Sequence, residues 1–347
     1  MEADKLQPAA PAATPAATPA RSPGEDAASV DVVIVSADMG AMTLRCLGEL
    51  DSPAIASVVV VDNAFGAEPG VGDAREQIAA RASVVALERP HGFAAANNRG
   101  LRHGEAPFAL LLNSDVLVVP GAIETLLGAL AERPHAVAAG GRLVDPQTLV
   151  TQQQYRPRPF PTLTNFLVIV LGVEELWPGN PVTRRYHGAA IDDDVGVRAV
   201  AAQPAAAALL VRRDAMDAVR GFDERFWFWF EDSDLLLRLA ARGSILYAPG
   251  AVFRHLGGGS FSRWSKAAHI RSIHHGIVQY ADAHFSRLRR AALGLAELAI
   301  SLPRVALFRS SRPEEAAAWR AVAGAGVALL RGRRPAAIAP RPRESST

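Results

Sequence analysis

From Asp31 onward, short apolar runs alternate with helical segments, and this alternation most constrains what the chain can fold into. Val32–Val35 is a β-branched run, Met42–Leu50 reads as a helix, and Val58–Val61 is a second buried run that ends at Asp62-Asn63. Strand, helix, strand is the pattern of a parallel βαβ unit, because parallel strands need a crossover long enough to hold a helix. The alternation continues with helix Arg75–Arg81, strand Ser83–Leu87, helix Phe93–His103 and strand Ala109–Leu112, which ends at Asn113-Ser114-Asp115. Helix Ala122–Glu132 and strand Ala136–Gly140 follow. The expected fold class is α/β, with a Rossmann-like, mostly parallel central sheet flanked by helices. In such sheets the ligand crevice lies at the carboxyl ends of the strands, where Asp62, Asn63 and Asp115 fall.

The remaining chain divides by composition. Residues 1–29 are rich in Ala and Pro without apolar periodicity and read as a disordered leader; they lack the charged and apolar regions of a secretory signal. Between Asp145 and Asp194, Pro157, Pro159, Pro161, Pro178 and Pro181 punctuate loops and short helices, and the apolar stretch Leu163–Val173 is too short for a membrane span. Val197–Val211 reads as a strand, Ala215–Val219 as a short helix, and Ser233–Ala241 as a helix closed by Gly243. Ile245–Tyr247 and Ala251–Arg254 read as two strands around Pro249-Gly250. The expected organisation is a main domain over 30–268, in two halves (30–116 and 117–268). A helical extension over 269–332 and a disordered tail over 333–347 follow.

Charge narrows the partners. With 37 basic and 35 acidic residues there is no general case for nucleic-acid binding. Arginine dominates from Ser286 onward, so attraction to anions is expected to be local to the C-terminal helices, which either pack on the main domain or lie on a membrane surface. A cytoplasmic protein, with peripheral inner-membrane association, is the expectation. The single cysteine, Cys46, excludes an intramolecular disulfide framework and sits in a helix as a structural thiol.

Residues 221–243 carry the strongest chemical signal. The aromatic run Phe226–Phe230 abuts Glu231, Asp232 and Asp234 at the start of an apolar helix. Apolar walls raise the cost of a carboxylate's charge, which suits a proton acceptor working near neutral pH. The same residues also read as a capped helix start, with Asp232 or Ser233 accepting from free backbone N–H groups and Asp234 complementing the dipole. Asn113-Ser114-Asp115 could hold a hard cation or be an ordinary turn. His255, ahead of Gly257-Gly258-Gly259, could be a metal ligand, a phosphate contact or a structural histidine.

Taken in order, these segments resemble family 2 glycosyltransferases, most closely their rhamnosyltransferase-like bacterial branch. The matching set is Val32–Val35, Val58–Asn63, Gly92–Gly100, Leu111–Asp115, Gly221–Glu224 with Glu231–Asp234, and His255–Ser260, spanning roughly residues 31–262. The resemblance implies a GT-A fold, a UDP- or dTDP-linked sugar donor, a divalent metal (Mn2+ or Mg2+), inversion at the anomeric carbon, and a cell-surface polysaccharide or lipid-linked glycan as acceptor. It assigns Asp232 as catalytic base with Glu231 as its acceptor-side neighbour, and Asp115 and His255 to the metal. Asp62 is assigned to the pyrimidine base; Asn63, Ser36, Asp38, Asn98 and Ser114 are expected to complete the donor contacts. Three positions depart from the family pattern: Ser36-Ala37-Asp38, Pro90 and Ala205-Ala206-Ala207. They leave a catalytically weakened relative, acting as a binding or assembly partner, as the alternative. A nicotinamide oxidoreductase is a poor reading, because Ser36–Gly40 lacks the glycine-rich turn that approaches a pyrophosphate.

Overall fold

The structure is a computed structural model that describes residues 28–37, 39–63, 71–187, 196–257 and 264–336. Asp38, the 258–260 glycine segment, the leader up to residue 27 and the tail beyond 336 lie outside the described residues. The first half alternates as expected: β1 (Val30–Ser36), α1 (Gly40–Gly48), β2 (Ile55–Asp62), α2 (Val71–Ala79), β3 (Ser83–Ala86), α3 (Phe93–Leu101) and β4 (Phe108–Asn113). Then come β5 (Val116–Val118), α4 (Ala122–Ala131), β6 (Ala136–Val144), α5 (Leu163–Val170), α6 (Val173–Leu176) and α7 (Pro181–His187). The second half holds β7 (Arg198–Ala199), β8 (Ala208–Arg212), α8 (Arg213–Ala218), α9 (Glu231–Ala240), β9 (Ser244–His255), α10 (Lys266–His284), α11 (Arg287–Phe308) and α12 (Pro313–Leu330).

The described strands form one sheet in the order β3-β2-β1-β4-β8-β6-β9-β5, with β7 also pairing β9. β1 to β4 pair in parallel, as do β6 and β9, whereas β8, β5 and β7 run antiparallel to their neighbours. Every residue of β1 is buried, as a central strand covered on both faces must be. Alternation divides its side chains: Val33 with Leu111 joins the core under Phe226, Leu236 and Tyr280, and Ile34 with Leu110 joins the opposite core around Cys46 and Ile123.

Three local expectations are corrected. Val197–Val211 is two strands, β7 and β8, rather than one. Ile245–Arg254 lies within a single strand, since Pro249-Gly250 falls in an irregularity where the register jumps from Gly141↔Ala248 to Arg142↔Val252, so β9 absorbs the turn residues without ending. Gly243 is not a left-handed cap; a side chain there would strike the His135 carbonyl, which instead accepts from Ser244 N–H.

The helical extension is not a separate body. Ile277 and Tyr280 of α10, Leu293 of α11 and Leu329 of α12 belong to the same core as Phe226 and Phe230. α10 begins at Lys266, so a boundary at 269 would cut through a helix that is integral to the domain. α11 and α12 cross at Gly294 and Gly326, where a methyl group on Gly294 would come within 2.6 Å of the Gly326 carbonyl oxygen.

Candidate active site

Parallel register brings the polar strand ends together. Ser36 pairs with Asp62 across β1 and β2, and Val35 pairs with Asn113 across β1 and β4. Ser36, Met39, Asp62, Ala74, Arg75 and Val84 line one cleft at this edge. Ser36 Oγ shares a hydrogen bond with Thr43 Oγ1 at 2.8 Å, and Asp62 Oδ2 stands 3.8 Å from Arg75 Nε. Ser114 is buried beside this edge. Below it, Cys46 is inert: burial, then the nearby Asp115 charge, push its thiol up to about 12.

Asp115 and His255 meet because β5 pairs β9 with Val116 opposite His255. Their Oδ2 and Nε2 atoms are 3.5 Å apart, too far for a strong hydrogen bond. Gln152 holds the ring from the other side. Its Nε2 donates to the His255 carbonyl at 2.9 Å, which turns Oε1 toward Nδ1 at 2.8 Å and makes Nδ1 the protonated nitrogen. The Nε2 lone pair is thereby left facing Asp115. Two ligands each ~2.1 Å from one divalent cation stand about 3–3.5 Å apart, so the pair fits a hard cation that also binds diphosphate and water. Among the described residues no cluster of three or more metal-ligating side chains exists, so a cation here would depend on the donor for the rest of its coordination.

The acidic segment is positioned by strained backbone. Trp229 and Phe230 both adopt left-handed φ values, 74° and 65°, at a cost of about 1–3 kcal/mol each. Helices α10 and α3 hold them there: in α10, Gly276 lets the Trp229 carbonyl approach its backbone and neutral His275 shares a hydrogen bond from Nε2 with the Arg225 carbonyl at 2.8 Å, while Phe93 N–H at the start of α3 donates to the Trp227 carbonyl at 2.7 Å. Burial keeps His275 below the usual histidine range.

The helix consequently starts at Glu231, two residues earlier than the sequence pattern suggests, and Phe230 caps it without a side-chain bond. Ser233 does not cap; its hydroxyl donates to Gln203 Oε1 at 2.5 Å. Asp234 is tied to Arg238 at 2.6 Å and His284 at 2.7 Å.

Glu231 and Asp232 are left in contrasting states. Glu231 is buried with Oε2 unpartnered, and desolvation, then the neighbouring Asp232 charge, raises its carboxyl to about 8. Asp232 remains partly exposed and, among the described residues, accepts from the Ser233 backbone N–H at 2.7 Å. Nearby, buried Tyr186 has a hydroxyl raised chiefly by burial, and Arg158 lies 5.4 Å over its ring.

Over 242 residues, 66% of this chain and 75% of the relative, the sequence is 31% identical to N-acetylglucosaminyl-diphospho-decaprenol L-rhamnosyltransferase of Mycobacterium tuberculosis. The same values hold for strain CDC 1551 / Oshkosh and strain ATCC 25618 / H37Rv. Residues 45–186 match the family described as glycosyl transferase family 2. The chain belongs to glycosyl transferase family 2. The fold is also similar to the crystal structure of S. aureus TarS 1-349, with 14% identity and a TM-score of 0.45 over 88% of this chain and 92% of that one.

As a family 2 glycosyltransferase, the chain carries its sequence-predicted site residues in two kinds of place. Ser36, Asp62, Ser114, Asp115, His255, Glu231 and Asp232 are at strand ends or at the α9 start. Asn63 and Asn98 are instead structural supports. Asn63 exchanges two 2.8 Å bonds with the His91 backbone, and Asn98 exchanges two 2.9 Å bonds with Phe222, so neither amide is free to read a donor. Glu231 is corrected too, since its carboxyl is enclosed whereas that of Asp232 is partly exposed. Ala205-Ala206-Ala207 is strain-free, because none of the three has positive φ. Gln152, Gln203, Tyr186, His275 and Gly276 had no sequence signal; their roles arise only when distant segments meet.

Proposed function

We propose that this glycosyltransferase moves a hexose, with L-rhamnose the leading candidate, from a UDP- or dTDP-linked donor to a hydroxyl of a lipid-diphosphate-linked glycan, with inversion and with a divalent cation. The observation that carries this reading is the division among ionisable groups. One accessible carboxylate, Asp232, stands beside an enclosed, largely protonated Glu231, while Asp115 and the Nε2 face of His255 form a ready cation pair at the strand ends. The sugar and acceptor follow the name of the M. tuberculosis relatives.

In this reading Asp62 and Ser36 hold the pyrimidine nucleotide at the β1–β2 edge. Asp232 takes the proton of the acceptor hydroxyl as its oxygen attacks the anomeric carbon. The bond from that carbon to the diphosphate oxygen breaks on the opposite face, giving an inverted glycosidic bond and a nucleoside diphosphate. Asp115 and His255 would hold Mn2+ or Mg2+, which supplies positive charge to the leaving diphosphate. Because Glu231 stays neutral near pH 7, it does not compete with Asp232 for the acceptor proton. The aromatic wall from Phe226 to Phe230 shields the donor from water.

A transfer assay with UDP- and dTDP-hexoses and a polyprenyl-diphosphate-N-acetylglucosamine acceptor tests this directly. Asp232→Asn is expected to lose about a thousandfold in turnover while the donor still raises the melting temperature. A wild-type chain that binds donor but transfers to no acceptor would restore the reading of a weakened binding relative. Full turnover in excess chelator would remove the cation from Asp115 and His255.

A further inference from the structure

Helix α11 carries an apolar face that nothing in the described fold covers. Its inner side is fixed: Leu293, Gly294, Glu297 and Ser301 are buried, with the Glu297 carboxylate 2.8 Å from His274 Nδ1. Diametrically opposite, at successive intervals of seven residues, lie Leu288, Leu295 and Leu302, which are 81%, 59% and 57% exposed. Ala299 and Ala306 fall on the same face and are exposed. Between Ala291 and Phe308 the ionisable residues are Glu297, which is buried, and Arg304, whose guanidinium lies 5.1 Å over the Trp319 ring. The outer face is therefore uncharged for most of a helix roughly 33 Å long.

Arginines bracket this face. Arg287 and Arg289 are exposed at one end, and Arg309 and Arg312 at the other. From Ser286 to the end the sequence has twelve Arg against four Glu, with no Lys or Asp. An apolar stripe with basic residues at both ends matches an interfacial helix, whose leucines enter the acyl boundary while its guanidinium groups reach lipid phosphates. α5, which packs on α11, leads into α6, at whose end Leu176 and the following Trp177 are also exposed.

We propose that the Leu288–Leu295–Leu302 face of α11 docks on an anionic phospholipid bilayer, with the helix lying along the surface. A spanning orientation conflicts with the packing, because the inner side is committed to α12 and the core. A second copy of the chain is a poorer occupant, since pairing two such faces brings arginine-rich ends together without a matching acidic border. A bilayer supplies both the apolar layer and the phosphates.

Co-sedimentation of the full chain with phosphatidylcholine vesicles, with and without phosphatidylglycerol, tests the proposal. The vesicles contain no sugar acceptor, so the result is independent of the transfer reaction proposed above. Wild type is expected to bind the phosphatidylglycerol vesicles in a salt-sensitive manner. Leu295→Glu with Leu302→Glu should weaken binding about tenfold or more with an unchanged melting temperature, because both side chains point away from the core. If that double variant melts early, Leu288→Ser at the most exposed position provides the comparison. Unchanged vesicle affinity in a folded leucine variant, or no binding by wild type, overturns the proposal. So does a wild-type dimer, seen by light scattering, that the leucine substitutions convert to monomer.

Discussion

The two ends of the central sheet treat aspartate in opposite ways. At the amino end of β1, buried Asp31 accepts from Ser57 Oγ at 2.5 Å, the Ala106 N–H at 2.7 Å and Arg213 at 2.8 Å, while Gly104 leaves room for the carboxylate. Arg213 also donates to the Ala106 and Leu101 carbonyls, closing that end into a network. At the carboxyl end Asp62 has Arg75 at 3.8 Å, Asp115 faces a histidine lone pair at 3.5 Å, and Glu231 has an oxygen with no partner. Buried polar groups are normally satisfied, so Asp31 has no capacity left for a ligand, whereas the carboxylates at the other end keep acceptor positions open. The contrast recurs within a single turn of α9, where Asp234 is fully paired and its neighbours Glu231 and Asp232 are not.

The largest effect should come from breaking the closed end. Asp31→Ala leaves Arg213 enclosed without its carboxylate and the Ala106 N–H without its acceptor, at an expected cost of about 3–5 kcal/mol. Urea denaturation measures it. A loss below about 1 kcal/mol would show that the network does not hold this end, and the contrast between the edges would lose its structural half.

How much of this was legible in the sequence follows from the range of the forces involved. The βαβ order and the placement of Asp62 and Asp115 could be read because side-chain alternation and strand length are local properties. Helix α9 could be located but not its start, since Trp229 and Phe230 are held left-handed by Gly276 and His275 more than forty residues downstream. Asn63 and Asn98 carry no local sign of whether their amides face a ligand or a neighbouring loop. Only the fold shows both engaged with backbone. Gln152 was invisible for the same reason, being joined to His255 across 103 positions.

Gln152 sharpens the open end of the comparison. Gln152→Ala removes both bonds that fix the His255 tautomer and orientation, so Mn2+ affinity measured calorimetrically in the presence of nucleoside diphosphate should fall about 10- to 100-fold. Gln152→Glu retains an acceptor for Nδ1 but loses the donor to the His255 carbonyl, and should fall between. Equal affinity in all three proteins would mean that the Asp115–His255 geometry is set without Gln152.

The smallest effect is one of slope. Glu231 ionises near 4.5 in the unfolded chain and near 8 in the folded one, because burial and Asp232 oppose its charge. Below the lower value both states are protonated and the residue is neutral in each. As pH rises through the window, the unfolded chain releases the proton while the folded chain retains it, so the unfolded state gains and stability falls until the folded group also ionises. Glu231→Gln cannot titrate, and its melting temperature should gain on wild type steadily between about pH 5 and pH 8. A gap that stays constant across that range would place Glu231 among the satisfied carboxylates with Asp31 and Asp234, leaving Asp232 without its neutral neighbour.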